Sequence, residues 1–384
     1  MRICLPRRCG LCRFGLDDYE EIVVYRENGV IVKGLQYNLV IYDREVTYIT
    51  CHGACPYDEL ATGCHLGCAG FVSSNVCSAL IKATSYQYEP LPTQDDRRKR
   101  WLRFRWSLIL HKAFSLPVEL GDQIAQFCLR ELAITYATLS LRGSHSSDSC
   151  VNISSNKLWL HYTLFEGSKY VASITSQQHD DHGKAVLLST PGASILYVAE
   201  DHLGIKDLLF AAPTDARISQ EQPNIWWRTL ELKSSLQLQS RTDGIKLRNM
   251  TVDGLNSVEQ TLWKIPQPPT QTLRWDSLQN LHKSLHPLRM SVMDINSPGI
   301  FAYSVCTEFG IIMMHAHTPG ERTDFYHAVP PRAVWHYMPV DSDEFITEIW
   351  KRQGLGKREL ALMVSPDTLS PTSSPSDLPS VAQI

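Results

Sequence analysis

Two runs near the start of the chain concentrate metal-binding chemistry: CGLC, from Cys9 to Cys12, and CHGACPYDELATGCHLGC, from Cys51 to Cys68. Seven of the eleven cysteines fall within the first 70 residues. Structural zinc takes four ligands in a tetrahedron, commonly delivered as two close pairs. Cys9 and Cys12 make one Cys-x-x-Cys pair, and His65-Leu-Gly-Cys68 makes a second. The expected ligands are therefore Cys9, Cys12, His65 and Cys68, with Cys51, Cys55 and Cys64 as alternates. No fourth position is left open, so the expected zinc is structural and lends folding energy to a small segment. The competing reading is a set of reduced thiols that hold no metal.

The elements that must position these ligands can be read around them. YEEIVVYRENGVIV reads as two strands about Asn28-Gly29, a strong hairpin signal. Knuckle, hairpin and a His-x-x-Cys opening a helix together resemble a treble-clef zinc finger. The stretch Arg97–Trp106, RRKRWLRFRW, places six positive charges in ten residues. It reads either as an import or phosphate-binding patch or as a helix with a solvated basic face and Trp101, Leu102, Trp106 and Leu108 turned inward. Residues 111–140 are the clearest helical stretch, with Pro117 where a first turn tolerates it.

Leu116-Pro117-x-Glu119-Leu120-x-x-x-Ile124 resembles the opening of an F-box, a short helical module that docks on a Skp-type adaptor of a cullin ubiquitin ligase. That resemblance implies partner-binding roles for Leu116, Pro117, Glu119, Leu120 and Ile124. The alternative is a plain amphipathic helix with a proline start.

From about residue 157 the texture changes to short runs such as KLWLHYTLF, KYVASIT and GIIMMHAH, broken by Gly, Pro, Asp and Asn. Regularly spaced short strands imply an all-β sandwich, barrel or prism. Trp226 and Trp227 are candidates for stacking on a ligand such as a sugar ring, or for filling a core. His315 and His317 alternate by two, so both face one side of a strand. Such a pair can bind metal, as in a cupin, with further ligands elsewhere, and Glu321 follows by a turn. The alternative is a hydrogen-bonded histidine pair on a partly exposed face. The closing stretch from Pro339 to Val364 is similar to the last strands of jacalin-like lectins, but then departs into Ser-Pro-Asp. With YVAEDHLGI from Tyr197, DGIKLR from Asp243 and WHYMP from Trp335, the whole resembles an uncharacterised family of filamentous-fungal proteins. These combine a cysteine-rich N-terminus, an F-box-like helix and a β-rich C-terminal domain.

The expected architecture is α+β and multidomain: a zinc-finger-like module over 1–80, a helical F-box-like segment over 81–142 and a linker over 143–156. A β-rich sandwich- or prism-like domain over 157–364 and a disordered Ser/Pro-rich tail over 365–384 complete it. With 384 residues, 43% hydrophobic and 20% charged, the chain has the make-up of a folded protein. A net charge of −3 gives no global case for nucleic acid. No apolar run has the length of a membrane span, and the N-terminus lacks a signal-peptide pattern, so a cytoplasmic or nuclear, non-secreted protein is expected. Nucleotide-binding loops, zinc-protease motifs and nucleophile elbows are missing. The expected function is a non-enzymatic interaction protein, an F-box-type substrate receptor with a β-rich recognition domain. The alternative is a carbohydrate- or small-molecule-binding β module, lectin-like or cupin-like.

Overall fold

In the computed structural model, the residues described are 2–26, 31–37, 41–43, 46–50, 59–143, 148–152, 157–176, 186–189, 194–211, 224–232, 237–252, 261–267, 289–308, 311–330, 332–353, 360–368 and 381–383. Arg2–Leu5 pairs in parallel with Val46–Thr50 and with Glu59–Leu60. Glu21–Tyr25 and Ile31–Gln36 form the expected antiparallel pair, although the Asn28-Gly29 turn lies outside the described residues. Thr62–His65 pairs with the other side of Glu21–Tyr25, setting Ile22 opposite His65. The Glu21–Tyr25 strand buries Ile22, Val23 and Val24 in succession, as a central strand covered on both faces does.

Five helices follow: α1 (Leu66–Gly70), α2 (Ser74–Thr84), α3 (Pro92–Phe114), α4 (Val118–Ala125) and α5 (Leu129–Arg142). The long helical stretch breaks at Ser115, whose φ of 53° places it in the left-handed region, and restarts with Pro117 as N-cap of α4. α4 lies close on α3, because a Cβ on Gly121 would sit only 3.3 Å from the Ser107 carbonyl oxygen.

The described residues of the second half are mostly strand, mainly antiparallel, in several small sheets, with one short 3-10 turn at Asp324–His327. The chain is thus β-rich with a helical block near its first third. Lys157–Phe165 and Ser168–Thr175, Ile195–Asp201 and Gly204–Ala211, and Gln237–Thr242 and Leu247–Val252 are hairpin pairs. Alternate residues point to one apolar cluster that includes Leu158, Val171, Val198, Leu230, Leu238 and Met250. The Ser-rich stretch expected as a linker contains the strand Ser149–Asn152, which pairs with Gln237–Thr242 and buries Val151 in that cluster. One well-placed valine and an open sheet edge suffice to recruit a polar segment. Similarly, Leu360–Thr368 pairs with Glu344–Gln353 and carries strand geometry through Ser365-Pro-Asp-Thr368. Val381–Gln383 pairs with Val292–Asp294, and the remainder of the expected tail lies outside the described residues.

A continuous buried cluster joins the two halves. It contains Ile3, Leu11 and Ile22 of the first module, Leu102 and Ala133 of the helices, and Phe165, Tyr170, Leu203 and Ile245 of the β half. Buried ion pairs reinforce this junction. The two-residue turn Glu166-Gly167 has φ of 47° and 75°, the left-handed pair a tight hairpin requires. It inserts against α3, where a Cβ on Gly167 would lie 2.3 Å from Trp101. There the Arg98 guanidinium forks onto both Glu166 oxygens at 2.6 Å and also donates to the Cys12 carbonyl at 2.9 Å. One member of the basic run therefore turns inward, while Lys99, Arg100 and Arg105 remain exposed.

The end of α2 is sealed from the β half. The Lys246 ammonium, fully buried, donates to the Ala83 carbonyl and to Asp243, both at 2.8 Å, and Arg248 donates to the Ser85 carbonyl at 2.5 Å. These cations meet the carbonyls that a helix C-terminus leaves unpaired. Burial pushes the Lys246 ammonium down to about 8, despite Asp243. Next to it, buried His202 packs edge-on to Tyr86 at 4.7 Å, and its Nδ1 has no hydrogen-bond partner among the described residues.

Two outcomes follow. Glu166→Ala leaves Arg98 buried and half-satisfied, and should lower the unfolding free energy by about 3–5 kcal/mol in urea titrations; a loss below about 1 kcal/mol would contradict the junction. Burial, against the pull of Asp201, lowers His202 from 6.5 to about 4, so the unfolded chain takes up this proton first as pH falls. Stability should drop between pH 6.5 and 4 by about 3 kcal/mol from this group, a drop His202→Leu removes when unfolding is compared across that window.

Candidate metal centre

The knuckle is built by backbone bonds. The Cys9 amide donates to the Phe14 carbonyl and the Arg13 amide to the Cys9 carbonyl, both at 2.9 Å. Arg13 closes the turn with φ of 62°, a conformation that costs a non-glycine residue roughly 1–2 kcal/mol. Its buried guanidinium offsets part of that through a bond to the Ile81 carbonyl at 3.2 Å and a seat over the Tyr86 ring. The Gly10 amide donates to the Gly63 carbonyl at 2.8 Å. A Cβ on Gly10 would lie 2.0 Å from Thr62 Cγ2, so this approach of knuckle to strand requires glycine. From the other side the Thr84 hydroxyl donates to the Gly10 carbonyl at 2.8 Å.

This packing sets the knuckle against the end of Thr62–His65 and the start of α1. Cys9, Cys12, His65 and Cys68 converge there, all buried, with their donor atoms within 4.8 Å of one another. His65 Nδ1 lies 3.3 Å from Cys12 Sγ and 3.4 Å from Cys68 Sγ. A tetrahedral zinc with bonds of about 2.3 Å to sulfur and 2.0–2.1 Å to nitrogen sets sulfur and nitrogen roughly 3.5 Å apart. The donor set therefore fits a zinc ion, and the first-choice ligands of the sequence are brought together.

The imidazole is oriented as a ligand. Its Nε2 sits 3.0 Å from the Gly15 carbonyl, an acceptor that requires the proton on Nε2. When the ring is neutral, the lone pair on Nδ1 faces the sulfurs, the outer arrangement that fixes a metal-binding histidine. Glu20 Oε2 lies 3.4 Å from the same Nε2, and Glu20 is held by Arg130 of α5 at 2.8 Å. The charge balance favours a cation at the centre. Cys9 is held far below the ordinary thiol range: burial opposes its charge, but contacts with Cys12, Cys64, Cys68 and His65 outweigh it. Burial also works against a charged His65, yet contacts with Cys12 and Cys9 raise it to about 10. A divalent ion would supply the positive charge that these groups otherwise seek from a proton.

Cys64 is buried beside Gly10 and its thiol contacts Cys9, but it does not join the four donors that all lie within 4.8 Å of one another. Cys51 and Cys55 lie outside the described residues. Sequence reasoning missed the supports: the Gly15 carbonyl, and Arg98, whose bond to the Cys12 carbonyl ties the knuckle to the β half. Arg98 was visible only as one charge in a basic run.

Trp226 and Trp227 do not form one platform. Trp227 is buried with Tyr197, Ala199 and Ala211, whereas half-buried Trp226 lies under Arg289 at 5.4 Å. His315 and His317 do come together, on one face and with Glu321. Leu120 and Ile124 of α4 are exposed, and Leu116 is half-buried with its carbonyl accepting a bond from His111 at 2.7 Å. Pro117 and Glu119 are also exposed.

No family model matches the chain, and no curated protein and no solved structure matches it. Among the described residues, no helix is long and apolar enough to cross a membrane.

Cobalt(II)-substituted protein should show the intense sulfur-to-metal absorption of a thiolate site. Cys12→Ser or Cys68→Ser should weaken that band and cut metal affinity at least tenfold, whereas Cys64→Ser should leave it in place. Equal loss in Cys64→Ser would assign the wrong ligands.

Proposed function

We propose that the chain is a non-enzymatic interaction protein in which α3 and α4 present an F-box-like docking surface for a Skp-type adaptor of a cullin ubiquitin ligase. The β half, read as a sandwich- or prism-like domain, would recognise the target. A structural zinc at Cys9, Cys12, His65 and Cys68 would hold the platform on which the helices sit.

One observation carries the reading. The F-box-like pattern runs from just before α4 into it, and α4 is pinned from behind and exposes apolar side chains in front. Behind, Gly121 and Ala125 are buried, Ser107 donates to the Val118 carbonyl at 3.2 Å, and Arg103 binds Asp122 through both carboxylate oxygens. On α4, Val118, Leu120 and Ile124 are exposed, as are Phe114 at the end of α3 and Phe127 just past α4, Phe127 to 80%. Large apolar side chains left in water around one short helix are not core residues, and contiguous exposed apolar surface marks contact sites. The flanking helix adds exposed Lys99, Arg100 and Arg105, which would favour an acidic partner.

Full-length protein should retain a purified Skp-type adaptor in pull-down. Leu120→Asp and Ile124→Asp should each weaken that binding at least tenfold while changing unfolding free energy by no more than about 0.5 kcal/mol, because both sites are exposed. Absence of adaptor binding by the wild type, or undiminished binding by both variants, would remove the proposal.

A further inference from the structure

A second convergence of metal-ligating side chains lies in the β half, far along the sequence from the cysteine centre. Ile311–His317 is an edge strand of a three-stranded sheet, next to Ala302–Thr307. His315 and His317 project from the same face, and their rings meet edge-to-face at 4.9 Å. The strand ends in Thr318-Pro319-Gly320-Glu321. Proline then glycine at the two central positions, with Gly320 at φ of 77°, is the signature of a tight type II turn. That turn folds Glu321 back over the histidine face.

The three side chains meet closely. Glu321 Oε2 lies 2.9 Å from His315 Nε2, and Oε1 lies 2.5 Å from His317 Nδ1. All three donor atoms lie within 4.8 Å of one another. Ligands at right angles on an ion with bonds of about 2.1 Å are separated by roughly 3 Å. The His315 pair has that spacing, and the His317 pair would need to open by a few tenths of an ångström.

The rings are held from outside. His317 Nε2 is 2.7 Å from Ser304 Oγ on the neighbouring strand and 3.3 Å from the Tyr326 hydroxyl. This supports the far nitrogen of a ligating histidine and leaves Nδ1 turned toward Glu321. His315 is stacked on Phe325 at 3.7 Å, and Phe325 in turn packs edge-on to Trp335. The neighbouring Arg322 binds Asp324, not Glu321. Glu321 and His315 remain partly open to solvent, with 18% and 27% of their side chains accessible.

We propose that His315, His317 and Glu321 form a binding site for a divalent transition-metal ion, with its remaining coordination positions open to water or a small oxygen ligand. Two imidazoles and a carboxylate are donors that suit Zn(II), Fe(II), Ni(II) and related ions, and are unlike the sulfur-rich first centre. Three protein ligands on one side of an ion leave its other side exchangeable, as in sites that bind or activate a ligand. This site stands independently of the adaptor-docking reading, since it shares no residue with α3 or α4. The competing arrangement is a Glu321 carboxylate that merely accepts a hydrogen bond from each imidazole.

The two arrangements separate in a metal count. Full-length protein, dialysed against a zinc buffer holding free Zn(II) near micromolar, should retain a second equivalent beyond that of the cysteine centre. His315→Ala and Glu321→Gln should each lose that equivalent, with at least tenfold weaker Zn(II) binding, while keeping the first. Cobalt(II) gives a second readout on the same chains. The two variants should keep the thiolate band in full and lose only weak visible absorption. A wild type whose metal content matches Glu321→Gln under these conditions would overturn the proposal and leave the hydrogen-bonded triad.

Discussion

Three sulfurs and one imidazole nitrogen, all buried and all within 4.8 Å of one another, are the constraint on which the first 80 residues depend. The described part of the segment that bears them is short strands and two short helices, whose apolar residues share one buried cluster with the later helices and hairpins. Bringing four donors together without a cation would crowd polarizable groups that compete for one proton. Binding an ion would convert the same crowding into folding free energy. The positive φ at Arg13, the glycine required at Gly10 and the Gly15 carbonyl aimed at His65 are the local consequences of that geometry.

The constraint propagates through two buried contacts. Arg98 carries it from the Cys12 carbonyl to the Glu166 hairpin tip, and Lys246 with Arg248 fixes the β half to the end of α2. A buried ion pair adds little net stability compared with apolar packing, but removing one partner is costly. Such pairs act as register pins: they permit one docking geometry and penalise the others. The result is a single apolar cluster running from Ile3 to Ile245, which makes the cysteine module, the helices and the first hairpins one unit of structure. α4 projects from this unit, held by Arg103 and Ser107, with Leu120 and Ile124 exposed on its outer face.

What was legible in the sequence was local. The two ligand pairs are each three residues apart, the hairpin announces itself at Asn28-Gly29, and Pro117 marks the start of α4. HAHTPGE places two histidines at strand period and returns a carboxylate through a Pro-Gly turn, all within seven residues. What escaped depended on distant partners. Arg98 finds Glu166 across 68 positions of sequence, and the DHLG and DGIKLR peptides stand out without revealing that Arg248 reaches Leu203. The strand at Ser149–Asn152 exists because Gln237–Thr242 offers it an edge, which a Ser-rich composition conceals. Trp226 and Trp227 looked like a pair, yet adjacent strand residues face opposite ways, and this parity alone separates core from rim. The same parity turns Cys64 from His65, although its thiol still reaches Cys9.

The most direct test of the central claim is X-ray absorption at the zinc edge on full-length protein in which His315→Ala confines the ion to the first centre. The account predicts three sulfur neighbours at about 2.3 Å and one nitrogen at about 2.0 Å. A first shell of nitrogen and oxygen alone, or a well-folded protein that carries no metal, would contradict it.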